Sequence, residues 1–253
     1  MLYCIILAEK FNAMKKTAPI IAANGVFLLL LAFGCAPAYV PNVLPAPMLE
    51  QKGEMVFNVH TGIAGFDPQF ALGITDHVGL LVNGSFRNYT SDSTDNFHQH
   101  LFFETGAGYF TPLGKAGRFE VFAGGGYGRL KAEFDNPLFE SFADVNCMRS
   151  FVQPTIGFVT DVAELSLSTR FVTVLLKQGD QTAFAPFVEP AFTLKLGYRQ
   201  VKGVAQMGLS LPLREQLDFL YQPFIFSLGL QVRLNTGLFN SPVNNSPAAL
   251  FSL

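Results

Sequence analysis

The stretch Phe97-His98-Gln99-His100, with Glu104 four residues on, sets two imidazoles and a carboxylate at even offsets. On an extended strand even offsets share one face. His98, His100 and Glu104 could then ligate a metal ion or work as a base with an acid orienter. His100 and Glu104 also fit a hydrogen-bond network inside a barrel, with His98 at the loop margin, and that is how we read them, with no metal or other cofactor expected. Asp92 and Asp95 precede the histidines in a Ser/Asp/Asn-rich stretch with the composition of an exposed tip. Ala123-Gly-Gly-Gly-Tyr-Gly-Arg-Leu130 clusters glycines, but no helix pattern or Lys-Ser/Thr pair follows, which excludes a phosphate cradle. Such glycines let a strand bend or pack against an interior side chain.

The elements that must carry these residues are strands. Phe192–Tyr198 and Ala163–Phe171 alternate with period 2, and from Phe224 to Leu234 six apolar residues occupy one face. A helix would scatter them. The pattern predicts an all-β chain of about ten strands (eight being the alternative), at roughly 54–63, 69–76, 78–89, 97–110, 118–133, 148–160, 163–176, 184–198, 203–213 and 223–234. Short connections alternate with longer polar ones such as 134–147 and 177–184, the habit of an up-and-down antiparallel transmembrane barrel. Six same-face apolar residues over about eleven positions match the roughly 9–11 that a tilted strand needs to cross hydrocarbon.

Composition agrees. Hydrophobic residues make up 49% and charged residues 14%, with a mean hydropathy of +0.31, against about 25% charged in an average soluble domain. No basic face suits nucleic acid. Opposite the apolar rows stand isolated charges of both signs, and Glu104, Glu120, Arg170, Glu189, Lys195 and Arg233 are expected to form a polar network in the lumen. The alternative, a soluble barrel, would turn its apolar rows inward around a small apolar ligand.

Lys15 and Lys16, the apolar run Ile20–Leu31 and the small residues after it describe an export signal over 1–34, of which 1–13 precede a second possible start at Met14. Leu31-Ala-Phe-Gly-Cys35 resembles the lipobox of bacterial lipoproteins, which implies acylation of Cys35; the usual leucine three before the cysteine is Ala32 here. Residues 35–52 are expected as a flexible linker, 53–234 as the barrel and 235–253 as a flexible tail. Cys147 is read as an unpaired loop residue.

Ser227-Leu-Gly-Leu-Gln-Val-Arg-Leu234 resembles the β-signal of outer-membrane proteins, with Ser227, Gly229, Val232 and Leu234 in its slots. With Cys35-Ala-Pro-Ala-Tyr-Val-Pro-Asn42, Gly73–Phe86 and Phe103–Phe110, the chain resembles small outer-membrane β-barrel proteins of the Bacteroidota that carry a lipoprotein-type signal. That resemblance implies outer-membrane lipids and the barrel-assembly machinery as partners, an unknown extracellular ligand, and a structural, adhesive or envelope-maintaining role through surface loops. It does not imply an open porin. No serine pattern here matches the outer-membrane lipid A acylases or deacylases, so a rim-site lipid-modifying enzyme stands only as an alternative, and the chain is read as a non-enzyme.

Overall fold

The computed structural model describes residues 37–90, 97–134, 141–198 and 200–235. Cys35 and the export signal, Asp92 and Asp95, and the tail beyond Asn235 lie outside the described residues. Among those described there are strands and no helix: β1 (Glu54–Gly62), β2 (Gly65–Gly73), β3 (Val78–Thr90), β4 (Phe97–Leu113), β5 (Gly117–Phe134), β6 (Ser141–Val159), β7 (Ala163–Gln178), β8 (Gln181–Tyr198), β9 (Val201–Leu209), β10 (Leu211–Pro212) and β11 (Phe224–Asn235). β1 to β8 each pair antiparallel with the next; β9 pairs with β11, and β11 returns to β1 from Glu54↔Asn235 to Gly62↔Ser227. Ten strands close the wall, and the two-residue β10 rides on β8. The chain is a closed antiparallel barrel of ten strands, not eight.

Several boundaries differ from the pattern reading: β4 runs on to Leu113, β9 ends at Leu209 instead of 213, and three others have a clear local cause. β2 starts four residues early, because the β1–β2 connection is only Ile63-Ala64, with Gly65 at φ 115°. Its ladder to β3 lapses between Phe66 and Gln69, where Pro68 has no amide hydrogen to give. The stretch 177–184, expected as a long loop, is a hairpin that Gln178 and Gln181 close around Gly179-Asp180, with Gly179 at φ 58°. Likewise β6 begins at Ser141, so Cys147 is a buried strand residue facing the lumen. These polar stretches read as loops because strands β4 to β8, at 16–19 residues, run on past the zone where their outward rows are apolar.

That zone is visible strand by strand. On β3 the outward row is apolar from Val78 to Phe86 and then meets Asn88; on β4 it runs from Leu101 to Tyr109, interrupted by Thr105, whose hydroxyl donates to Leu81 O, with Gln99 beyond. On β5 it runs from Phe119 to Tyr127 and is followed by Arg129 and Lys131. Arg129 Nε donates to Asp144 of β6 at 3.1 Å on the exposed arm. Leu101, Phe103, Phe158 and Tyr198 are more than half exposed, whereas Glu104, Arg170, Glu189 and Lys195 on the opposite faces are at 2% or less. The soluble-barrel arrangement is therefore inverted: apolar rows outside, charges inside.

Candidate functional site: the filled lumen

Of residues 35–52, expected as a flexible linker outside the barrel, 39–49 instead run through its bore. The local sequence explains the path. Pro41, Pro45 and Pro47 fix extended backbone and leave carbonyls without intrasegment partners. From Tyr39 to Pro47, eight steps at about 3.1 Å cover roughly 25 Å, and Met48, at φ 53°, ends the extended path. Tyr39, Val43, Leu44, Met48 and Leu49 are all at 1% exposure or less, and each apolar chain so buried contributes about 1.5–3 kcal/mol.

Wall side chains take up the segment's backbone in order. Gln69 donates to Val43 O at 2.9 Å, and Gln206 holds both the amide and the carbonyl of Leu44 at 2.8 Å. Gln153 donates to Pro45 O at 2.6 Å, Lys195 to Ala46 O at 2.6 Å, and Arg233 to Pro47 O and Met48 O at 2.8 and 3.1 Å. Leu49 N donates to Glu120 at 3.2 Å. Inward glycines leave the room: a Cβ on Gly157 would lie 2.7 Å from Met48 Cε, and one on Gly79 the same distance from Leu49 Cδ1.

All six expected lumen residues face inward, but they sort into different groups. Glu104 meets Arg170 at 3.4 Å and Arg149 at 4.0 Å, with Asn42 of the segment donating to the carboxylate and accepting from Arg170. Lys195 and Arg233 converge on Glu164, at 2.9 and 3.2 Å, and Lys202 joins them at 2.9 Å; Arg233 also pairs with Glu54. Glu189 accepts from the Tyr39 and Ser210 hydroxyls. Glu120 holds a backbone amide. Glu164 was within reach of the sequence, since it shares parity with Ser166, Ser168 and Arg170; Arg149, Lys202 and Asn42 carried no comparable signal.

His98 and His100 also face the lumen, and the structure adds a residue the sequence did not single out. Ser85 Oγ lies 2.9 Å from His100 Nε2, and His100 Nδ1 lies 3.1 Å from His98 Nε2. Such a chain has the order of a nucleophile, a base and an orienter. The cavity that touches Ser85 and His100 is only about 30 Å³, and Tyr39 and Arg149 line it. That is the space of a single water, so no ester reaches the hydroxyl while the segment is in place. Glu104 sits apart from the imidazoles, with its arginines. Among the described residues no group of three His, Cys, Asp or Glu side chains is placed to hold a metal ion.

In the closing strand, Ser227 and Gly229 face inward beside His60. Ser227 Oγ is 3.2 Å from His60 Nδ1, and a Cβ on Gly229 would press to 2.9 Å from that ring. Val232 and Leu234 lie on the outward face. Neither known protein families nor curated proteins give a match to this chain. What the lumen can do follows from its geometry alone: it holds an extended segment of its own chain, buried from Tyr39 to Leu49.

Proposed function

We propose that the protein is an outer-membrane β-barrel, shut by its own N-terminal segment, which supports or decorates the envelope through the arms at its long-loop end and does not conduct. The observation that carries this reading is the outward row of β5, apolar over the nine residues Phe119–Tyr127 and charged immediately beyond. Nine residues match the span of a tilted strand across hydrocarbon, and exposed bulky rows of this extent would be an aggregation liability in water. Lipid is the solvent that makes them favourable. Tyr109 and Tyr198 toward the short-turn end and Tyr127 toward the other sit where interfacial aromatics belong.

Acylation of Cys35 and handling of Ser227, Gly229, Val232 and Leu234 by the assembly machinery belong to the same proposal. So does the orientation, with the turns at 74–77, 114–116 and 160–162 facing the periplasm. Membrane fractionation with cold and boiled gel migration tests it. A barrel in lipid fractionates with the outer membrane and migrates faster unboiled. Recovery in the soluble periplasmic fraction overturns the reading.

A further inference from the structure

We infer that the loop-end mouth of the barrel is a binding site for a short, uncharged amphiphile that arrives through water. The lumen is not uniform along its length. On β7 the inward row begins Glu164, Ser166, Ser168, Arg170 and then becomes Val172, Val174, Leu176 toward the loop end. The neighbouring inward positions Val145 and Ala185 continue this apolar wall. The β9–β11 connection folds back into the mouth, where Phe219 and Tyr221 set their rings 6.3 and 5.3 Å from Phe187. Tyr221 also bridges to Tyr39.

This packing leaves the mouth incompletely filled. A cleft of about 340 Å³ remains, floored by Val145, Leu176, Ala183 and Phe219. Its volume is at the low end of the range for ligand pockets, and barrel mouths are among their usual places. At about 30 Å³ per non-hydrogen atom, the share of a liquid water, it takes about eleven such atoms. The floor is apolar, which asks for hydrocarbon. At the opening stand Gln178, Gln181, Thr182 and Asp218, all exposed or half-exposed. Two amides, those of Gln178 and Gln181, can hydrogen-bond an uncharged head, while the charge that the described lining brings to the rim is a carboxylate, which repels an anionic one. The lining comes from inward rows and the mouth, so the barrel wall stands between the cleft and the outward belt. Entry is from the aqueous loop side, which favours a chain short enough to travel as a monomer.

The chain has no tryptophan, so Phe219→Trp supplies a single fluorophore at the floor. In lipid nanodiscs, 10-bromodecan-1-ol should quench it saturably. Leu228→Trp, on the outward face, should show only the linear quenching of a lipid-partitioned probe. Filling the cleft with Val145→Phe and Leu176→Phe should weaken the saturable quenching at least about tenfold; Ala183→Phe is the second filling variant if the first fails the heat-modifiability check. 10-Bromodecanoate should bind more weakly than the alcohol. Linear quenching of the Phe219→Trp variant, or quenching unchanged by filling, overturns the site; equal binding of the carboxylate overturns the uncharged head.

Discussion

The Tyr39 hydroxyl donates to Glu189 Oε1 at 2.6 Å, joining residues 150 apart in sequence. Tyr39 thereby fixes the loop end of the threaded segment to the wall of β8, while Lys195 and Arg233 fix its other end at Ala46, Pro47 and Met48. Tyr39→Phe should cost about 1–3 kcal/mol, since it deprives a buried carboxylate of a donor. Hydrogen exchange should rise at 39–42 and stay slow at 46–49. A uniform rise along the segment would mean that the two ends are not held independently.

Glu164 is the shared anion of Lys195, Lys202 and Arg233. Glu164→Gln takes the carboxylate from Lys195 and Lys202 and leaves Arg233 paired with Glu54, and should destabilise by about 3–5 kcal/mol. Adding Lys195→Met should recover part of that loss. Equilibrium unfolding in vesicles gives both numbers, and an additive double variant would show that the cluster does not act as a unit.

Leu167 is outward, in mid-belt on β7 and 53% exposed. Leu167→Arg should cost about 2–4 kcal/mol in a bilayer, whereas Lys131→Arg on the β5 arm should be within ~0.5 kcal/mol of the parent. Equal, small effects at both sites in vesicle unfolding would remove lipid from around the belt.

The intact protein should show no stable, large conductance in a planar bilayer, because ten strands enclose a bore that side chains and residues 39–49 fill; open aqueous channels belong to barrels of about 16–18 strands. Deleting 37–50 should admit small ions intermittently. A porin-sized channel from the intact chain would show that the segment does not occupy the bore in a membrane.

Because Ala38 and Tyr39 bond to Leu220 and Gln222 at the mouth, Pro37→Cys should react with a membrane-impermeant maleimide on intact cells, as should Gly179→Cys. Lys115→Cys, at a short turn, should react only after the envelope is opened. The reverse pattern would invert the barrel.

Period-2 alternation was enough to give the all-β class, the strand count and the inward placement of Glu104, Glu120, Arg170, Glu189, Lys195 and Arg233, because side-chain facing on a strand is a local property. The same rule placed His100 on the lumen side, whereas His98, expected at the loop margin, is buried there as well. Which charge meets which is a matter of register around a closed ring. No local pattern connects Glu164 to Lys202 and Arg233, or Ser85 to His100. The threaded segment is the sharpest case. Pro41, Pro45 and Pro47 look from the sequence like a linker, since a chain without internal hydrogen bonds is ordinarily solvated. Inside a ring of inward glutamines, lysines and arginines, those unsatisfied carbonyls become acceptors, and Gly79 and Gly157 open space for Leu49 and Met48. The extended shape was written in the residues; only the closed barrel could supply the donors that make its interior the segment's place.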